Sequence, residues 1–202
     1  MLFLLTGDIQ TGKTRWLQML LAEIESSGMV PRGVVAPGAW IKSTGPQADA
    51  NGFEKLGIDN ELLPSHEKVP FARRRDLAEA AGDYDEGSQS AQAQLLWAID
   101  DSAIETVNAH FAALREDAGP GVGPLVIDEL GRLELLRGAG LTEAMALLAT
   151  GPSEAMPVAL VIVRETLVEL AEERFAEAWG GCTRIYPDDA GRSLVVDALG
   201  LL

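Results

Sequence analysis

Cysteine is almost missing from this chain: Cys182 stands alone among 202 residues. One thiol cannot close an intramolecular disulfide, so a disulfide-stapled scaffold is excluded. Histidine is nearly as scarce. His66 and His110, even with Cys182, are too few for a zinc centre of the usual kind. No apolar run approaches the roughly 20 residues that span a bilayer. Residues 1–5 are apolar, but the stretch is short and has neither a basic flank nor a cleavage site. The expected compartment is therefore the cytoplasm. Positive charge is also in short supply, with 16 Lys and Arg against 31 Asp and Glu and a formal charge of −15. Such a chain is poorly suited to non-specific binding of nucleic acid or of an anionic membrane. Neither is expected as a partner.

Hydrophobic residues make up 47% of the chain and charged residues 23%, as in an ordinary folded protein. The length fits a single domain over residues 1–202. The charge is unevenly divided. Through Arg75 there are 9 basic and 8 acidic residues, a net of +1; from Asp76 onward there are 7 and 23, a net of −16. All four lysines (Lys13, Lys42, Lys55, Lys68) lie in the early part. Solvated acidic helix faces explain the later half. The early half is the place to look for an anion site, provided a motif supports it.

Apolar runs alternate with helical spacing. Strands are expected at residues 1–5, 33–37, 125–129, 158–163 and 183–186. Helices are expected at about 12–27, 102–116, 141–149, 167–179 and 194–202. Runs of this kind, continuous rather than alternating, fit strands buried on both faces of a parallel sheet. The fold class is α/β, with helices covering both sides of the sheet. Between residues 38 and 75, short apolar stretches separated by Gly, Pro, Asn and Asp read as antiparallel hairpins. Residues 78–90 read as a loop, so an insertion is placed at about 38–90.

Gly7-Asp8-Ile9-Gln10-Thr11-Gly12-Lys13-Thr14 matches the Walker A pattern, between an expected strand and an expected helix. Gly7 and Gly12 let the backbone approach a polyphosphate closely. The helix that follows points its positive end at that anion. Lys13 supplies a mobile charge for the β- and γ-phosphates, and the Thr14 hydroxyl suits Mg²⁺. The nucleotide-contacting stretch is taken to extend through Arg15. At the end of a buried strand, Leu125-Val126-Ile127-Asp128-Glu129 provides the acidic half of such a site. Asp128 is the expected Walker B carboxylate, acting on Mg²⁺ through water, and Glu129 the expected general base for water.

The Walker A run, the run from Val126 to Leu135 and the strand ending near Glu165 together resemble the P-loop nucleoside-triphosphatase family. These are small stand-alone enzymes of the thermophilic-bacterial and human cancer-related type. The family usually shows Asp-Glu-Ile-Gly-Lys-Met-Glu-Leu, where this chain has Asp-Glu-Leu-Gly-Arg-Leu-Glu-Leu. The resemblance covers most of the chain and is loose over residues 38–101. It implies a P-loop three-layer α/β/α sandwich with a RecA-like, additional-strand core. It also implies Mg²⁺-dependent hydrolysis of ATP, GTP and other nucleoside triphosphates. Gly131 would form a turn under the phosphates. Arg132 stands where the family has lysine, keeping the charge but replacing a point charge with a fork.

Arg164, at the end of the 158–163 strand, is a candidate transition-state cation; the alternative is a structural arginine. Arg73-Arg74-Arg75 would serve as a lid or an acceptor site, or lie in a solvated loop. Two further functions remain open. One is a kinase transferring the phosphoryl group to a nucleotide or small molecule. The other is a nucleotide-dependent switch that binds a protein partner. A monomer is expected.

Overall fold

The computed structural model describes residues 1–8 and 11–201. In chain order the elements are β1 (Leu2–Leu5), α1 (Lys13–Ser26), β2 (Arg32–Val35), β3 (Gly38–Lys42), β4 (Phe53–Leu63) and β5 (Glu67–Arg74). Then come α2 (Arg75–Ala81), α3 (Gln89–Gln92), β6 (Trp97–Ile99), α4 (Asp101–Glu116), β7 (Leu125–Leu130) and α5 (Arg132–Arg137). The chain ends with α6 (Thr142–Ala149), β8 (Ala159–Val163), α7 (Val168–Phe175), β9 (Cys182–Ile185) and α8 (Asp189–Ala198).

The described strands form one nine-stranded sheet, in the order β6-β5-β4-β2-β7-β8-β1-β9, with β3 also paired to β4. The strands β2, β7, β8, β1 and β9 run parallel to one another, and β2 meets β4 antiparallel on its other edge. Strand β8 lies between β1 and β7, which is the additional-strand arrangement. The alternation along β1 shows how the two helical layers attach. Leu2 and Leu4 belong to one core cluster, with Val107 and Phe111 of α4, Leu148 of α6 and Phe175 of α7. Phe3 and Leu5 belong to the other, with Leu17, Leu21 and Ile24 of α1 and Val195 of α8. Successive strand side chains point to opposite faces, so each buried strand feeds both layers. Each fully buried side chain of this size contributes about 1.5–3 kcal/mol.

The antiparallel part runs from β3 to β6 and extends the same sheet, ending at Ile99. The long β4 spans it. Its Glu61–Leu63 end pairs with β2, and its Phe53–Ile58 end pairs with β3. On its other edge β5 pairs with it over most of its length. The expected loop at 78–90 is partly helical, because α2 reaches Ala81 before Gly82 (φ 77°) stops it in the left-handed conformation. Strand β6 and helix α5 were not anticipated. The last helix starts at Asp189 rather than 194, since the Asp188 side chain accepts from Gly191 N at 2.8 Å and caps it. Residue 202, placed in that helix, lies outside the described residues. The α-helical part of the expected 167–179 helix stops at Phe175 and gives way to a 3₁₀ turn at Glu177–Trp179.

His66, in the turn between β4 and β5, ties the hairpin to the first helix. Its Nδ1 is 2.7 Å from Glu61 Oε1 and its Nε2 is 3.4 Å from Glu25 Oε1. The hydrogen bond to Glu61 holds the imidazole above its usual value of 6.5, and partial burial opposes this. A group whose folded pKa is raised stabilises fully below its unfolded pKa and loses that contribution as pH rises through the folded value. The thermal unfolding midpoint of the wild type should therefore exceed that of His66→Gln at about pH 5.5, the gap narrowing as pH rises above 6.5. The effect is small because the pair is half-exposed.

Candidate functional site

The site begins where β1 leaves the core. Thr6 is buried; its N–H donates to Ile185 O at 3.0 Å and its hydroxyl to Glu165 Oε2 at 2.9 Å. Gly7 (φ 132°) and Gly12 (φ 82°) then adopt backbone conformations that L side chains rarely take. Asp8 is exposed, and its carbonyl accepts from the Thr11 hydroxyl at 2.9 Å. Ile9 and Gln10 lie outside the described residues. Gly12 caps α1 without a side-chain hydrogen bond, and the first turn of α1 holds no acidic residue. The positive end of the helix is thus left for an anion. The Lys13 ammonium arches over the loop, donating to Gly7 O at 2.8 Å and Asp8 O at 2.7 Å. Arg15 is exposed on the first turn of α1.

Thr14 and Asp128 meet across the sheet. The Thr14 hydroxyl donates to Asp128 Oδ1 at 3.2 Å, while Ala36 N donates to Asp128 Oδ2 at 2.8 Å. Burial pushes the Asp128 carboxyl up to about 6, against the lowering pull of these two donors. A hydroxyl and a carboxylate are the oxygen donors a hard divalent cation prefers, and a buried anion gains from one beside it. The residues present therefore fit Mg²⁺. Among the described residues no group of three or more His, Cys, Asp or Glu is poised around a metal. Phosphate and water oxygens would complete its shell.

Glu129 is the strained residue of the site. Its φ is 82°, unusual for a side chain of this size. The register between β7 and β8 shifts between Ile127 and Leu130, where Ile127 faces Val161 and Leu130 faces Val163. One extra residue is bulged out of β7, which turns Glu129 off the regular ladder. Its carboxylate accepts from Arg164 Nε at 2.6 Å, with both side chains partly exposed. Arg164 of the β8 end is thus brought to the acidic pair.

The loop after β7 is held by Glu134, a residue the motif reading left without a role. Its Oε2 accepts from Gly131 N at 2.9 Å and its Oε1 from Leu141 N at 3.1 Å. A glutamate three residues after the residue that opens a helix is the signal that could have revealed this back-bond to the N-cap N–H. Burial raises the Glu134 carboxyl above its usual range. Replacing Glu134 with alanine leaves two backbone donors unpaired and is expected to cost about 2–4 kcal/mol in a urea titration. Arg132 opens α5 and is exposed.

The other singled-out residues do not join the cluster. Arg73 pairs with Asp83 at 3.2 Å, Arg74 with Glu54 and Asp76, and Arg75 with Glu79 at 2.7 Å. Each arginine of the triplet is thus satisfied locally. Cys182 hydrogen-bonds Glu172 at 3.3 Å, and burial with that neighbour pushes its thiol up to about 11, far from a reactive thiolate. His110 packs inside, its Nε2 3.1 Å from Gly33 O, and burial lowers its pKa.

A glycine-flanked turn between a buried strand and a helix faces an acidic strand end two strands away, in an α/β/α sandwich with an additional strand, a fold consistent with that of P-loop nucleoside triphosphatases. The chain matches no family model and no curated protein. Among solved structures it is similar to a human cancer-related nucleoside triphosphatase, with a TM-score of 0.58 and 18% identity, covering 99% of this chain and 95% of that one. At that identity the likeness establishes the fold.

Proposed function

We propose that this protein hydrolyses nucleoside triphosphates, ATP and GTP among them, to the diphosphate and phosphate with Mg²⁺. The observation that carries this is the Thr14–Asp128 contact of 3.2 Å, with Glu129 bulged out beside it. The similar fold of a nucleoside triphosphatase adds support.

In this reading Gly7 to Thr14 bind the polyphosphate through backbone N–H groups and the open end of α1. Lys13 moves its ammonium from the loop carbonyls to the β- and γ-phosphate oxygens. Thr14 and, through water, Asp128 would hold Mg²⁺, which would supply positive charge to offset the phosphate oxygens. Glu129 accepts a proton from the attacking water. The water oxygen bonds to the γ-phosphorus as the bond to the bridging oxygen breaks, and that electron pair leaves with the diphosphate. Arg164 orients the Glu129 carboxylate through Nε, leaving the rest of its fork for developing charge. A kinase would need an anion site for its acceptor, but the Arg73–Arg75 triplet is already neutralised by neighbouring carboxylates.

A phosphate-release panel over ATP, GTP, CTP and UTP, with and without Mg²⁺, tests this. Release from several triphosphates in Mg²⁺ alone is expected. Absence of release from all four would overturn it.

A further inference from the structure

Lys55 of β4 is brought to the site by the antiparallel extension, far from any motif. It pairs with Trp40 in the β3–β4 ladder, where the register shifts between Ala39 and Trp40. Its side chain runs over Gly38. A Cβ built at Gly38 would stand 2.7 Å from Lys55 Cε and 2.5 Å from Trp40 Nε1, so a side chain there would obstruct the lysine. Trp97, on the short β6, places its ring 5.1 Å from the ammonium. Three strands thus fix one lysine.

That lysine is also aimed. Asp128 has two oxygens, each held from a different side. Oδ1 is held by Thr14 of α1, and Oδ2 by Ala36. Gly38, which Lys55 crosses, lies two residues beyond Ala36. Lys55 therefore reaches the acidic pair from the Ala36 side, while Lys13 serves the side of the loop and α1. The charges acting on its ammonium are Glu129 and Asp128, which attract it, and Arg164, which repels it. Among the described residues the ammonium makes no hydrogen bond and no ion pair within 4.0 Å. Burial lowers its pKa below the usual lysine value. A half-buried cation beside the Trp97 ring, in the field of two carboxylates yet bonded to neither, is suited to an incoming anion.

We propose that Lys55 is a further catalytic cation beside Lys13 and Arg164, contacting the γ-phosphoryl oxygens from the Glu129 side as negative charge shifts in the transition state. This rests on the hydrolase reading. Lys13 would act on the bound triphosphate throughout, whereas Lys55 would act mainly on the charge that develops during transfer.

The test compares wild type, Lys55→Met, Lys55→Gln and Lys55→Arg in phosphate release from ATP with Mg²⁺. Binding of adenylyl imidodiphosphate and of ADP with aluminium fluoride is measured alongside. In Lys55→Met and Lys55→Gln, kcat should fall about 10²-fold. Affinity for adenylyl imidodiphosphate should change by less than about threefold, and the tighter binding of ADP with aluminium fluoride should be lost. Lys55→Arg should recover part of the rate. Thermal midpoints identify any variant that fails to fold; if Lys55→Met fails, Lys55→Gln decides. Wild-type turnover in both neutral variants overturns the role of Lys55 and leaves the hydrolase reading intact. Equal loss of both affinities assigns Lys55 to ground-state binding and also overturns it. Absence of turnover in the wild type overturns both.

Discussion

Lys13→Ala should lower kcat/KM for triphosphate hydrolysis by about 10³-fold or more, roughly 4 kcal/mol of transition-state stabilisation. The physical reason is the position of the ammonium. It already lies across the loop, bonded to Gly7 O and Asp8 O, and it needs only a short movement to reach a phosphate bound beneath it. No other described cation is bonded to the loop carbonyls. The fold should survive, because the lysine is only part-buried and its partners are loop carbonyls that water can reach. Unfolding in urea should therefore shift by no more than about 0.5 kcal/mol. Steady-state phosphate release together with the urea midpoint checks both halves of the expectation. Lys13→Arg should not restore the rate, since a planar fork does not replace a compact ammonium in a tight loop.

Glu129→Gln should separate binding from chemistry. The amide keeps the size of the side chain and can still accept from Arg164, but it cannot take a proton. A loss of about 10²–10⁴ in kcat is expected. Affinity for a non-hydrolysable triphosphate should be retained, read by equilibrium titration. The backbone at this residue adds a second expectation. Glu129 is held at φ 82°, which costs of order 1 kcal/mol for a non-glycine residue. Glu129→Gly should relieve that strain, leaving a protein no less stable than wild type and as inactive as Glu129→Gln. A site that stores strain where it needs its base behaves in this way.

Much of the candidate site was legible because it depends on local sequence. A continuous apolar run such as Leu125-Val126-Ile127, bounded by breakers, reads as a strand buried on both faces, and the acidic residues that follow it then sit at the strand's C-terminal end. The same logic placed β1 and β8, and the glycines of the loop told where the chain must turn. The order of the strands was another matter. That β8 separates β1 from β7 came from the family resemblance, because nothing in the residues of a strand names its neighbours. Strand β6 is three half-buried residues with no period to read. Lys55 was only one lysine of four, since its place depends on β3, β4 and β6 converging from distant parts of the chain. The bulge at Glu129 was equally hidden, because it arises from a register mismatch with β8. Of the acidic residues from Asp76 on, Asp76, Glu79 and Asp83 pair with the arginine triplet of the early part, and the remaining excess fits solvated faces.

The most direct test is turnover of ATP in water enriched in ¹⁸O, with Mg²⁺ and no acceptor, followed by mass analysis of both products. Attack of water on the γ-phosphorus puts one ¹⁸O into inorganic phosphate and none into the diphosphate. Label in the nucleotide product, or release of phosphate only after an acceptor is added, would contradict hydrolysis at this site.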